Sequence, residues 1–439
     1  MANEFIIRNG FQSRGDSQIT GSLDVTGGIT GSYTGSFTGD GSGLTGVSVT
    51  TGAFGIADAS GSYTYYSDFQ TAINAASAGE TVEMFADVTV DSSSTVTLKN
   101  GVNINLNGHK YENINSGTVE LITLPNGATV YIFNGIFKRN GGPGAATTNA
   151  ALDAYNSPTA KIVLEGVVFH NVTSVSYYGN AEVIGGTFIS EGTVSYGFLT
   201  VTNNITNLTV KSYGPNRVSS TTIAQNCKFI STNSTGMNIW GGTLLNCSIT
   251  SFGADGVTTG GAGTFMNCSI HSSAGRGVYN TAAGTRIINC SILSTAGIGL
   301  QMSTITFLSN TTAISTTSWG ADLQLSTAAA NNCSFESTAL QGVRLVADAK
   351  LKNCYVKSSF DDPTGHAVNC INPTTTGFEI FDCGLETINS AANAIYAIVA
   401  TNFGYWGNNT YKGMTTPVNS VNANLQSNTP DAYGNILIG

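Results

Sequence analysis

Short bursts of alternating apolar and polar residues run from about residue 81 to residue 410 and recur at a nearly constant interval. The clearest copies are Asn226-Cys227-Lys228-Phe229, Asn246-Cys247-Ser248-Ile249, Asn267-Cys268-Ser269-Ile270 and Asn289-Cys290-Ser291-Ile292. Asn310, Asn332 and Asn353 continue the series, and the steps between asparagines are 20, 21, 22, 21, 22 and 21 residues. Equivalent positions upstream are Asn207, Gly185, Gly166 and Asn134, and Asp382 follows downstream, which makes twelve copies. The second and fourth columns lie two residues apart and so share one strand face, predicted to point inward, while the Lys, Ser or Thr between them points out. The first column accepts only Asn, Gly and Asp, residues that tolerate positive φ, and it predicts a bend between strands. A period near 21 with no intervening helix predicts stacked β coils, a solenoid. The leucine spacing of leucine-rich repeats is absent.

A solenoid exposes an apolar end unless something caps it. Residues 67–79 predict a capping helix: Ser67 with Gln70 as a capping box, an apolar face of Phe69, Ala72, Ile73 and Ala76, and Gly79 as the stop. The alternation at 81–85 and 102–109 predicts entry strands. Helix, alternation and Asn-rich coils together resemble the pectin-lyase-like right-handed parallel β-helix over roughly residues 64–410. That resemblance implies a fold and leaves the activity open.

Residues 19–47 are different. An apolar-Thr-Gly unit recurs there, with Ile29, Tyr33 and Phe37 four residues apart. So short a segment cannot bury its own apolar row, so it needs identical neighbours or a docking surface. The segment, and 39–46 (Gly-Asp-Gly-Ser-Gly-Leu-Thr-Gly) above all, resembles the N-terminal region of bacteriophage tail-fibre and tailspike proteins. The resemblance implies a trimeric virion appendage. It would attach to a tail, baseplate or capsid protein through residues 1–50, with Ile29, Tyr33 and Phe37 as attachment residues. The expected organisation is an attachment segment 1–50, a linker 51–66, a capped β-helix 67–410 and a C-terminal cap or tail 411–439.

Composition sharpens this picture. Gly is 53 of 439 residues and charged residues are 10%, yet 41% of the chain is apolar, enough to bury a core. A net charge of −9 argues against nucleic acid as the partner. No apolar run approaches membrane-spanning length, and no signal peptide is read at the start, so the expected location is a virion assembled in the host cytoplasm. Cysteines spaced about one period apart, with no pair at zinc-ligand spacing, read as buried free thiols in one core column; no metal and no cofactor are expected. The structural ladder is then Asn226, Asn246, Asn267 and Asn289 with Cys227, Cys247, Cys268 and Cys290.

Two coils are stretched, placing loops near 139–158 and 358–377. The second holds Asp361, Asp362 and His366, with Glu379 following. Polysaccharide-cleaving tailspikes use a carboxylate pair, which makes Asp361, Asp362 and Glu379 weak catalytic candidates for a glycoside hydrolase; no acidic cluster favours a lyase, and Asp255 and Arg276 read as isolated. All four histidines read as surface or turn residues. The aromatics Tyr177, Tyr178, Tyr196, Trp240, Tyr279, Trp319, Tyr405 and Trp406 fall largely outside the inward columns, and Tyr279, Trp240, Trp319 and Trp406 are the candidate binding residues, because exposed Tyr and Trp stack on sugar faces. The leading expectation is a non-enzymatic appendage that recognises host cell-surface polysaccharide through its β-helix. A depolymerising tailspike, a head fibre, a fibre of a phage-tail-like injection system and a bacterial adhesin are the alternatives.

Overall fold

The computed structural model describes residues 52–438, apart from 116, 118, 141–149, 193–195, 201–202, 305, 325–328, 347–348, 372–377, 398–404, 415–417 and 421–435. The attachment segment with Ile29, Tyr33 and Phe37 lies outside the described residues. From Thr50 onward the chain forms one compact unit. It is a parallel β-helix.

The coils number about 13, at about 22 residues each. Coils contribute to three parallel sheets, and in some coils one strand runs through two of them, as in Thr129–Arg139 and Met237–Leu245. Sheet one contains Tyr177–Gly179, Val278–Asn280, Leu300–Met302 and Ala321–Leu323; sheet two contains Thr264–Met266, Thr285–Ile288 and Lys350–Lys352; sheet three contains Lys228–Ser231, Ser248–Ser251, Ser269–Ser272 and Ser291–Ser294. Register holds from coil to coil. In sheet three Val210, Phe229, Ile249, Ile270, Ile292, Ala313, Phe335, Val356 and Leu385 pair in succession, all buried. Farther toward the N-terminus the same column is aromatic, with Phe137, Phe169 and Phe188 stacked at 5.1 and 5.5 Å.

The bend column adopts the expected conformation. Asn207, Asn226, Asn246, Asn267, Asn289, Asn310, Asn332, Asn353 and Asp382 all have φ between 50° and 58°, in the left-handed region. The amide of each asparagine from Asn226 to Asn289 donates to the Oδ1 of the one before, at 2.7–3.3 Å. Behind them the predicted thiols are free and buried, and each Sγ of the four donates to the carbonyl two residues earlier, at 3.2–3.3 Å.

A second ladder holds the opposite corner. Ser231, Ser251, Ser272, Ser294, Ser315, Ser337 and Ser358 are fully buried at the end of sheet three. Ser272 Oγ donates to the Ala254 carbonyl at 2.7 Å and accepts from the Gly275 amide at 3.0 Å; Ser294 repeats the pattern with Gly275 and Gly297. Each hydroxyl thus satisfies one backbone group of its own coil and one of the preceding coil. Glycines close this corner, since a Cβ on Gly277 would meet the Gly299 carbonyl oxygen at 2.4 Å.

The N-terminal end differs from expectation in detail. The helix spans Phe69–Ala75, and Asp68 rather than Ser67 is its N-cap, accepting from the Thr71 amide at 2.7 Å. Gln70 does not complete a capping box; its side chain bridges to the Thr97 backbone. Residues expected to be a linker form a hairpin, Phe54–Ala57 with Tyr63–Tyr66, paired antiparallel onto Thr81–Met84. Phe54 stacks on Phe69 at 4.7 Å, so hairpin and helix together cover the first coil. At the other end Thr410–Lys412 pairs with Gly384–Glu386 and in turn with Ile436–Ile438, so coiling extends past the expected boundary at 410.

The Asn column yields a prediction. Asn267→Ala puts a Cβ without a local hydrogen-bonding group into the left-handed region and should cost about 1–2 kcal/mol, whereas Asn267→Gly should cost markedly less. Chemical denaturation of the two variants checks this; equal losses would remove backbone conformation as the cause.

Candidate functional site: an arginine–aromatic face

The outward side of sheet one carries the densest aromatic and cationic chemistry among the described residues. In-register pairing places Tyr178, Leu199, Arg217, Asn238, Thr258, Tyr279, Gln301, Asp322 and Arg344 in one outward column, one per coil. The corner before the sheet adds Tyr196, Asp255, Arg276 and Trp319, and the corner after it adds Trp240.

Three arginines lie on rings. The Arg276 guanidinium carbon sits 3.5 Å from the Tyr279 ring centre, Arg344 lies 3.7 Å from Trp319, and Arg217 lies between Trp240 at 4.7 Å and Tyr196 at 5.2 Å. Each planar cation faces the negative face of a π-system, and the contact also fixes the side chain against the sheet. Arg217, Tyr279 and Arg344 occupy one column at intervals of three coils, about 14 Å at the spacing of adjacent strands.

Carboxylates hold two of these arginines. Arg276 Nη2 and Nε reach Asp255 Oδ2 and Oδ1 at 2.8 and 3.1 Å, and its Nη1 donates to Gln301 Oε1 at 2.8 Å. Asp255 and Arg276, isolated in sequence, are therefore an ion pair across one coil step. Arg344 Nε donates to Asp322 Oδ1 at 2.8 Å, and Asp322 is fully buried with Gln324 as a further donor. Trp319 Nε1 donates to Gln341, whose own amide donates to the Thr364 carbonyl.

Trp240 is the most exposed ring on this face, at 48%. Its indole lies along Gly260 of the next coil, where an added Cβ would press on it at 3.1 Å. At the N-terminal end Tyr155 and Tyr178 stack at 4.7 Å and 7°, and burial pushes the Tyr178 hydroxyl up to about 12.

Of the four expected binding residues, Trp240, Tyr279 and Trp319 share this face. Trp406 does not: its strand, Tyr405–Gly407, belongs to sheet two and pairs with Glu379–Phe381. Tyr177 is an inward core residue, fully buried against Phe188 and Phe198, because the strand's alternation turns Tyr178 outward in its place. Tyr196, Arg217 and the two Arg–Asp pairs escaped attention as a group. The available signal was separation by one repeat length, as in Asp255/Arg276 and Asp322/Arg344.

The catalytic candidates each engage a different partner. Asp361 accepts from Asn389, Asp362 caps the turn through the Thr364 amide at 2.8 Å, and Glu379 is bound to Lys350 at 2.7 Å on sheet two. Neither stretched coil is a simple excursion. Arg139 is buried at the end of its strand and donates to the Val119 and Gly117 carbonyls, residues 152–154 are a strand of sheet one, and Ser358 belongs to the serine ladder. His366, expected at the surface, is buried, with Nδ1 accepting the Asn393 amide at 3.0 Å. Burial lowers its pKa to about 4.

No family model matches the chain, and no curated protein matches it. Solved structures that it resembles include the A-module of mannuronan C-5 epimerase AlgE4 from Azotobacter vinelandii, with a TM-score of 0.41, 12% identity, and coverage of 84% of this chain and 94% of that one. The periplasmic alginate epimerase AlgG gives 0.30 and 8%, over 82% and 84% of the two chains. The A-module of mannuronan C-5 epimerase AlgE6 from Azotobacter vinelandii gives 0.27 and 12%, over 77% and 89%. At these identities and scores the likeness says nothing about what this chain binds or does.

His366 supplies a prediction with a definite sign. Its folded pKa lies below the ordinary value of 6.5, so the unfolded chain binds the extra proton between pH 6.5 and about 4. The stability from keeping it neutral is complete above pH 6.5 and falls away as pH drops toward 4, by about 3 kcal/mol at most. His366→Asn, which keeps an acceptor for the Asn393 amide, should flatten this part of the stability–pH curve; an unchanged acid slope would assign it to other groups.

Proposed function

We propose that the chain is a virion appendage of the tail-fibre or tailspike type whose β-helix recognises a host cell-surface glycan. Glycan recognition rests on the outward face of sheet one and the two corners that flank it. There Trp240, Tyr279 and Trp319 are held by arginines on a rigid sheet, so binding sacrifices little side-chain freedom. Sugar rings present C–H faces to aromatic planes and hydroxyls to Arg, Asp, Asn and Gln, and this face offers both kinds of partner along one line. Attachment to the particle rests on the apolar-Thr-Gly repeat of residues 19–47, which is too short to fold alone and is suited to joining copies of itself.

In this reading the β-helix binds and does not cleave. The separate engagements of Asp361, Asp362 and Glu379 support that, since a glycosidase needs two carboxyl groups facing one bond.

A glycan array probed with the intact protein tests recognition. Trp240→Ala and Tyr279→Ala should each weaken the bound glycans about tenfold, or 1.4 kcal/mol, and no new reducing ends should form. Binding unaffected by both substitutions would move the site off sheet one. Light scattering should give a mass near three times 45.4 kDa; a monomer would remove the appendage reading while leaving the glycan test intact.

A further inference from the structure

The three arginines of sheet one are not equivalent. Arg276 and Arg344 each have a carboxylate at 2.8 Å or closer. Arg217 has none within ion-pair distance among the described residues. Its hydrogen bond is a long one, Nη1 to the Tyr196 hydroxyl at 3.4 Å, and its Nε is buried with no acceptor. The residues next to Tyr196 and Thr200 in sequence, 193–195 and 201–202, contain no Asp or Glu. In its own column the next acidic side chain toward the N-terminus is Asp153, three strands away through Tyr178 and Leu199, or about 14 Å. Toward the C-terminus, Asp255 is already committed to Arg276.

We propose that Arg217 is the specificity-determining residue of the glycan face and binds a carboxylate carried by the sugar. This rests on the glycan-recognition reading above and names the ligand's charge. Of the three arginines on this face, Arg217 is the one left without a counterion among the described residues. Trp240 and Tyr196 hold it from two sides, so its plane is fixed before any ligand arrives. A fixed guanidinium accepts a planar carboxylate through parallel N–H donors, a charged bidentate pairing that a neutral hydroxyl does not reproduce. Trp240, exposed beside it, offers a surface for the ring that carries the carboxylate. At the other two stations Asp255 and Asp322 already occupy the guanidinium donors, and those stations suit the neutral hydroxyl-bearing residues of the same chain.

The test uses intact protein on an array with three classes of polysaccharide: carboxylated members, the same members with their carboxyl groups methyl-esterified, and sulfated neutral glycans. Carboxylated members should bind, and esterification should reduce binding at least tenfold. Arg217→Ala should abolish the difference between acid and ester. Arg217→Lys, which keeps the charge without the planar donor pair, should restore only part of it. Unchanged circular dichroism and thermal midpoint confirm that the variants are folded. Equal binding of acids and esters, or selective binding of sulfated members, would overturn the assignment of Arg217 and leave glycan recognition standing. Absence of binding to any member would overturn both.

Discussion

Every coil must place its backbone amides and carbonyls where the next coil can use them, and that requirement governs the rest of the structure. Along the strands the in-register sheets meet it automatically. At the corners the backbone turns out of the ladder, and side chains have to complete it. Asparagine does so on one side by adopting a conformation most residues avoid and bonding to its own kind in the coil before. Serine does so on the other, with one hydroxyl serving two coils. Because both corners are fixed in this way, an outward residue on sheet one stands directly above its counterpart, and long-range order on the surface follows from short-range bonding inside.

Much of this was visible in the sequence, and what escaped notice did so for physical reasons. The Asn and Cys columns stand out because few residue types are acceptable there: left-handed φ selects Asn, Gly or Asp, and a narrow interior selects a small apolar side chain. Ser272 and Gly277 occupy equally strict columns, five and ten residues after Asn267, and the same offsets hold at Ser251/Gly256 and Ser294/Gly299. Ser and Gly are so frequent in this chain that their periodicity does not announce itself. Asp255 and Arg276 look unrelated on paper because 21 residues separate them, although one coil step brings them into contact. Tyr177 and Tyr178 show the opposite difficulty: neighbours of the same type, one in the core and one half-buried on the outer face, told apart by strand phase alone.

Charge is scarce in this protein, and the way it is spent on sheet one differs from its use elsewhere. Lys161 with Glu182 and Lys350 with Glu379 are exposed pairs between long flexible side chains, of the kind that contribute little. The sheet-one pairs join arginine to short aspartates, one of them fully buried, with aromatic rings as backing. Removing one member of such a pair strands a charge in a poorly hydrated place, so the arrangement is rigid by construction. Rigidity of this sort suits recognition, since the partner meets a surface already in its bound form.

The corner between sheets three and one has no spare length: serine, four residues and glycine recur from Ser231 to Gly342. The corner between sheets one and two is unlike it. One strand, Met237–Leu245, runs through it without a break, whereas the next coil takes residues 262–263 there and the one after takes 281–284. Between Ser231 and Gly342 the coils therefore vary in length along this one edge. That edge borders the arginine–aromatic face, so the rim of that face varies from coil to coil while the winding beneath it stays the same.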